Sequence, residues 1–89
     1  MAESVQRYRK KPVEVKAFLY DDNADEIIAW VNSHGGALAR RANSTLVSIK
    51  TLEGWIYASP GDFVVRGVKG EFYPCRPDIF ALTYERADA

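Results

Sequence analysis

Residues 60–80, PGDFVVRGVKGEFYPCRPDIF, have the pattern of a β-hairpin and decide how the rest of the chain is read. Two short, mainly apolar segments, residues 63–66 and 71–75, flank the loop at residues 67–70, which begins and ends with glycine. Glycine at both ends of a short loop permits the tight reversal that antiparallel strands need. Pro74 lacks an N–H group, which places the returning strand at the edge or the end of a sheet.

Two more segments before this stretch alternate as strands do. Residues 45–51 place Val47 and Ile49 on one face and, after a short turn, pair back onto residues 55–58 as a first hairpin. Residues 37–42 indicate another short strand. Because these segments follow one another closely, we expect antiparallel neighbours.

The chain from Pro12 to Tyr20 also alternates apolar and polar residues. Proline is tolerated at the first position of a strand, so we expect the strand to begin there. The alternation places one row of side chains on one face of the strand: Val13, Val15, Ala17 and Leu19. The other row lies on the opposite face: Glu14, Lys16, Phe18 and Tyr20.

One segment, residues 24–34, has helical spacing. Asn23 is expected to cap it, and Glu26 three residues later would complete a capping box. Glycines at 35 and 36 end it. The side chains expected to be buried are Ile27, Ile28 and Val31.

Strands that follow one another as hairpins, with one helix, predict the α+β class: one helix packed on an antiparallel β-sheet of about five strands. A chain of 89 residues has room for one core. Residues 1–7 are polar without periodicity and are expected to be a flexible tail, so that residues 8–89 form a single α+β domain. One helical turn is expected to start near Pro77.

The composition excludes several classes of protein. Twelve basic and twelve acidic residues give a net charge of zero, so the whole chain has no electrostatic attraction to nucleic acid or to an anionic membrane. No apolar run approaches the roughly 18 residues of a membrane span. One histidine and one cysteine argue against a zinc site, and we expect no metal, no cofactor and no membrane partner. A single cysteine suits a reducing compartment.

No catalytic set can be assembled from the sequence. To act as a nucleophile, Cys75 would need a neighbouring base or nearby cations that lower its pKa. The single histidine that could serve as this base is His34. A lone cysteine in a small domain is more often a buried apolar residue. The loop at residues 67–70 lacks the spacing of a phosphate-binding loop. We therefore predict that the protein is not an enzyme.

Four polar residues of the hairpin and its exit have no evident core role and form the predicted binding site: Lys69, Glu71, Tyr73 and Arg76. The competing interpretation is that Glu71 pairs with Arg66 across the hairpin and that Tyr73 packs. A possible nucleic-acid contact is the basic cluster Arg7, Tyr8, Arg9, Lys10 and Lys11. A third candidate is an aromatic patch, if these residues are not core: Trp55, Tyr57, Phe72 and Tyr73.

The segments YRKKPVEVKAF, residues 8–18, and TLEGWIYASPGDFVVRGVKGEFYPCRPDIFALTYE, residues 51–85, resemble a family of small bacteriophage and prophage proteins. The resemblance implies a phage gene product made in the bacterial cytoplasm, and it implies no established activity. We expect a non-enzymatic accessory protein that binds a host protein or a small ligand through the hairpin surface. The alternative is a nucleic-acid-binding accessory protein that uses the basic cluster. The sequence leaves the oligomeric state open.

Overall fold

The computed structural model describes residues 5–9, 11–41 and 44–87. The elements in chain order are β1 (Lys16–Leu19), α1 (Ala24–Ser33), β2 (Leu38–Arg40), β3 (Val47–Thr51), β4 (Gly54–Ala58), β5 (Phe63–Arg66), β6 (Phe72–Cys75) and α2 (Pro77–Thr83). Two three-stranded antiparallel sheets are present in this part of the chain, in the orders β1-β5-β6 and β2-β3-β4. The predicted α+β class is confirmed, whereas the single sheet and the single helix are wrong.

The turn between β4 and β5 explains why the two hairpins do not merge into one sheet. The N–H of Gly61 donates to the carbonyl of Tyr20 at 2.7 Å, and the N–H of Tyr20 donates to the carbonyl of Asp62 at 2.8 Å. The turn is therefore attached to the end of β1, and β5 pairs with β1 instead of folding back onto β4. Gly61 has a φ of +100°, which glycine adopts without strain.

The hydrophobic core lies between α1 and the two sheets. Its buried members are Tyr20, Ala24, Ile27, Val31, Leu38, Val47, Ile49, Ala58, Val64 and Phe72. Phe18, Ile28 and Trp30 are partly buried against it. The predicted helix is therefore confirmed, as is the burial of Ile27 and Val31, while Ile28 lies at the edge of the core.

Strand β1 is shorter than predicted, and the row that contains Phe18 faces the core. The strand starts at Lys16 because its partner β5 ends at Arg66, directly opposite, and the chain then turns away. Phe18 faces the core and its ring contacts that of Trp30 at a centroid distance of 5.0 Å, edge to face. Leu19 is 44% exposed. An aromatic side chain buries more apolar area than the smaller residues of the competing row, which decides the orientation.

The start of α1 also differs from the predicted capping box. The Asn23 side chain makes no capping hydrogen bond to the helix. Its Oδ1 accepts from the N–H of Asp21 at 2.9 Å, and its Nδ2 donates to the carbonyl of Leu19 at 3.0 Å. Asn23 therefore holds the β1–α1 turn in place. The helix ends as predicted: Gly35 has a φ of +84°, and the N–H of Gly36 donates to the carbonyl of Val31 at 3.0 Å.

Helix α2 covers the second face of the β1-β5-β6 sheet. The Phe80 ring stacks on Phe63 with centroids 3.9 Å apart and an interplanar angle of 9°. The hydroxyl of Tyr84 lies 3.0 Å from that of Tyr73. The helical turn predicted near Pro77 is therefore a longer helix than expected. The division into a tail of residues 1–7 and a domain of residues 8–89 stays a prediction, and residues 1–4 and 88–89 lie outside the described part.

Candidate functional site

The β5–β6 hairpin forms as predicted, and Glu71 closes its turn. The N–H of Gly67 donates to the carbonyl of Glu71 at 2.7 Å, and the N–H of Gly70, at a φ of +82°, donates to the carbonyl of Gly67 at 3.0 Å. The Glu71 carboxylate accepts the N–H of Lys69 at 3.0 Å. The predicted ion pair between Glu71 and Arg66 is wrong, because the carboxylate folds over the turn and the Arg66 Nε has no hydrogen-bond partner in the described structure.

The four predicted binding residues do not converge on one point. Lys69 is exposed at the tip of the turn. Arg76 is exposed at the opposite end of β6, where its Nε lies 3.4 Å from Asp78 Oδ1. A four-residue strand separates these two ends by about 13 Å. Glu71 and Tyr73 lie between them, so any single partner that contacts all four must extend along the whole strand.

Tyr73 has a structural role in addition to any binding role. It is half-buried on β6 and its hydroxyl is hydrogen-bonded to that of Tyr84. Burial, followed by this hydrogen bond, raises the pKa of Tyr73 well above its usual range. The interpretation of Tyr73 as a packing residue is therefore supported, and replacing it by alanine is expected to loosen α2.

A groove of about 350 Å³ runs between the β3–β4 turn and β6. It is open to solvent along one side. Its apolar wall is formed by Leu52, Ile56, Phe72 and Pro74, and two carboxylates, Glu53 and Glu71, also line it. Glu71 and Tyr73 are thus brought to the same groove, while the structure places Arg76 outside it. Chemically, the groove suits an apolar side chain flanked by a positive charge.

The β3–β4 hairpin exposes several large apolar side chains next to this groove. Leu52 is 82% exposed in the turn, Trp55 is 57% exposed and Tyr57 is 50% exposed. Trp55 lies opposite Lys50 and Tyr57 opposite Ser48, which places both aromatic rings on the face that points away from the core. The predicted aromatic patch is therefore split, since Phe72 is buried and Tyr73 half-buried.

A cation accompanies one of these exposed rings. The Arg41 guanidinium carbon lies 4.8 Å from the centroid of the Tyr57 ring, and its Nη1 donates to the Tyr57 hydroxyl. This contact orients the ring on the sheet surface. The hairpin surface formed by Leu52, Trp55 and Tyr57 was not predicted as a unit. Ile56 pairs with the buried Ile49 and lies on the other face of β4, where it lines the groove. The available signal was Leu52, a large apolar residue within a tight turn beside an aromatic strand.

The described members of the basic cluster precede β1 and belong to neither a helix nor a strand. Arg7, Tyr8, Arg9 and Lys11 are exposed, Tyr8 to 91%. Lys10 lies outside the described residues. The exposed part of the cluster is accessible to an anionic partner, and it offers one aromatic ring.

Cys75 lies in an environment that disfavours the thiolate. It is half-buried, and burial, followed by the nearby carboxylates of Asp62 and Asp78, raises its pKa. His34 has local partners, since its Nδ1 lies 2.8 Å from the Trp30 carbonyl and 3.1 Å from Ser33 Oγ. These contacts give no sign of an activated nucleophile.

No three side chains of histidine, cysteine, aspartate or glutamate in residues 5–9, 11–41 and 44–87 come together as a metal site. Over the same residues, no helix is both long and apolar enough to cross a membrane.

Comparison of the chain with protein-family models, with curated proteins and with solved structures finds no match.

Proposed function

We propose that this chain is a non-enzymatic bacteriophage or prophage accessory protein that binds a partner protein through the hairpin surface of Leu52, Trp55 and Tyr57 together with the adjacent groove, which Leu52 also lines. The observation that supports this most is the exposure of Leu52, Trp55 and Tyr57 on one short hairpin. Large apolar side chains that are exposed together on a small protein commonly mark interaction sites.

The chemistry of the surface defines the kind of partner. Tryptophan and tyrosine are the residues that most often dominate binding energy at protein interfaces. Glu53 and Glu71 give the groove a negative rim around an apolar floor. The best complement is therefore an apolar side chain next to lysine or arginine on the partner. A small ligand is less well supported, because the groove is open and encloses little of its contents.

The test is purification of the tagged protein under native conditions from the bacterial host, with mass spectrometry of the proteins that accompany it. The double variant Leu52→Ser/Trp55→Ser should lose the partner at least about tenfold, as expected for the loss of interface anchors. The matched control is Ile79→Ser/Leu82→Ser, because these residues of α2 are also exposed, at 48% and 84%, but lie outside the groove.

The melting temperature of both double variants should stay close to that of the parent, because all four side chains are exposed. Equal loss of the partner in both variants would mean that exposed apolar residues bind it nonspecifically. Undiminished capture by the Leu52→Ser/Trp55→Ser variant would place the site elsewhere.

A second candidate function is nucleic-acid binding through Arg7, Tyr8, Arg9, Lys10 and Lys11. The exposure of the described members of this cluster favours it. The net charge of zero counts against it. Titration with single- and double-stranded DNA at physiological salt is expected to give only nonspecific affinity, about 10⁻⁴–10⁻⁶ M. A nanomolar complex that is lost on replacing Arg7 and Arg9 by serine would make this the first candidate.

A further inference from the structure

Within residues 5–9, 11–41 and 44–87, no strand pairs with the outer edge of β1. Strand β1 is the outer strand of the β1-β5-β6 sheet and pairs with β5 alone. Residues 12–15 continue its alternation of apolar and polar residues without a neighbouring strand, because β5 ends opposite Lys16. The N–H of Val13 donates to the carbonyl of Lys11 at 2.9 Å. Beyond this turn, an edge strand presents N–H and C=O groups that can pair with another chain.

The apolar row of this segment is also left uncovered. Val13 is 53% exposed, Leu19 is 44% exposed, Ala17 is exposed and Val15 is half-buried. The core is instead contacted by Phe18 and Tyr20. The strand-like alternation that the sequence shows is therefore not explained by the core of one copy of the chain.

The free edge has an excess of positive charge. Lys16 lies directly opposite Arg66 in the β1–β5 register, and like charges in this arrangement repel each other. Within the part of the chain that the structure describes, neither residue forms an ion pair. The Arg66 Nε is buried without a hydrogen-bond partner. This site lacks a carboxylate, which a second molecule can supply.

We propose that the chain forms a symmetric homodimer in which residues 13–17 of two copies pair as antiparallel strands about a two-fold axis at Val15. In this register Glu14 of each copy lies opposite Lys16 of the other. The dimer interface then contains the Glu14–Lys16 pair twice, as two-fold symmetry requires. Glu14 of the second copy thereby supplies a negative charge beside Lys16, which faces only a positive residue on its β5 side.

Charge selects this register over its neighbours. A two-fold axis at Glu14 would place the two Glu14 side chains opposite each other, and an axis at Lys16 would do the same with two lysines. Both arrangements are repulsive. With the axis at Val15, the apolar row also matches itself, because Val13 lies opposite Ala17 of the other copy. The β1-β5-β6 sheet of one copy then joins the β1-β5-β6 sheet of the other, and one sheet continues across the dimer.

The paired segment is short, so it buries less than the roughly 1,200–2,000 Å² of a standard stable interface. We therefore expect a reversible dimer whose population rises with concentration. Sedimentation velocity over a wide concentration range, at low and at physiological salt, measures the association constant. Dimerisation should weaken as salt is added, because the Glu14–Lys16 pairs are exposed.

A charge exchange tests the register. Glu14→Lys and Lys16→Glu should each weaken dimerisation about tenfold or more, because symmetry turns two attractive pairs into two repulsive ones. The double variant Glu14→Lys/Lys16→Glu should restore it to within a few-fold of the parent. The control Glu85→Lys changes charge by the same amount at an exposed site away from β1 and should leave the association constant unchanged.

Cross-linking gives a second, independent readout. In a Cys75→Ser background, Val15→Cys should form a disulfide-linked dimer under mild oxidation, because the two Val15 positions face each other within disulfide reach. Ala17→Cys and Val13→Cys should each cross-link poorly alone and efficiently when the two proteins are mixed. A parent chain that stays monomeric at every concentration, or a double charge variant that fails to recover while remaining folded, would overturn the proposal. So would cross-linking that favours a different pair of positions.

Discussion

The phenol oxygens of Tyr73 on β6 and Tyr84 after α2 lie 3.0 Å apart. None of the α2 residues Pro77–Thr83 is fully buried, so the helix depends on contacts at its margins. The tyrosine pair is one such contact, and the stack of Phe80 on Phe63 is another. Because Tyr73 also lines the groove beside the β3–β4 turn, the attachment of α2 and the shape of the proposed binding groove are linked through one side chain.

Alkaline pH should destabilise the protein through Tyr73. Its pKa in the folded state is raised, by burial first and then by the Tyr84 hydrogen bond, above the ordinary value of 10.0 that it has when unfolded. Above pH 10.0 the unfolded chain therefore binds fewer protons at this group than the folded one, and stability falls as pH rises. Urea unfolding should show a steeper loss between about pH 9 and 11 in the parent than in Tyr73→Phe. Equal slopes in the two proteins would contradict this account.

Ile27 should be a major contributor to stability. It is 1% exposed on α1 and belongs to the core cluster. Ile27→Ala removes buried methylene and methyl groups and leaves a cavity, which should cost about 2–4 kcal/mol of unfolding free energy. The matched control is Ile79→Ala on α2, where the side chain is 48% exposed and the cost should be within about 0.5 kcal/mol. Chemical denaturation of both variants gives the comparison, and similar costs would show that α1 is not packed as described.

Local patterns predicted the elements of this fold better than their assembly. The spacing of Ile27 and Val31 predicted α1, and the glycines around residues 67–70 predicted the β5–β6 hairpin. The pairing of β1 with β5 could not be predicted in this way, because it joins residues about fifty positions apart in the chain through backbone hydrogen bonds that any sequence can make. The same limit applies to the hairpin surface, whose exposure depends on where β6 ends relative to the β3–β4 turn.

The sequence pattern also left open which row of β1 side chains is buried. Both rows of the strand contain apolar residues, so alternation alone did not decide which row is buried. The choice was made by the partners that each row meets, since Phe18 finds the ring of Trp30 on α1. Such contacts between elements are invisible to a pattern that is read within one segment.

A side chain at Gly36 should destabilise the fold, although the φ of this residue is not in the left-handed region. A Cβ at this position would lie 2.5 Å from Phe72 Cδ2 and 2.7 Å from Val31 Cγ1. Gly36→Ala is therefore expected to cost about 1–3 kcal/mol, the usual range for overpacking a core. In a Phe72→Leu background the same change should cost less, because the ring edge that it strikes is gone. An undiminished cost in that background would indicate that the clash with Val31, and not the one with Phe72, is the source of the strain.

Cys75 should be slow to react and dispensable for binding. Burial, and then the carboxylates of Asp62 and Asp78, raises its pKa above the ordinary thiol value of 9.0, so the protonated, unreactive form predominates at neutral pH. Alkylation of Cys75 by iodoacetamide at pH 7 should be slower in the folded protein than in the urea-unfolded chain. The alkylation rate of the folded protein should keep increasing as the pH is raised above 9.0. Cys75→Ser should retain capture of the native partner, with Leu52→Ser/Trp55→Ser as the variant that loses it. Loss of capture by a folded Cys75→Ser protein, or rapid alkylation at neutral pH, would restore the thiol as a candidate nucleophile.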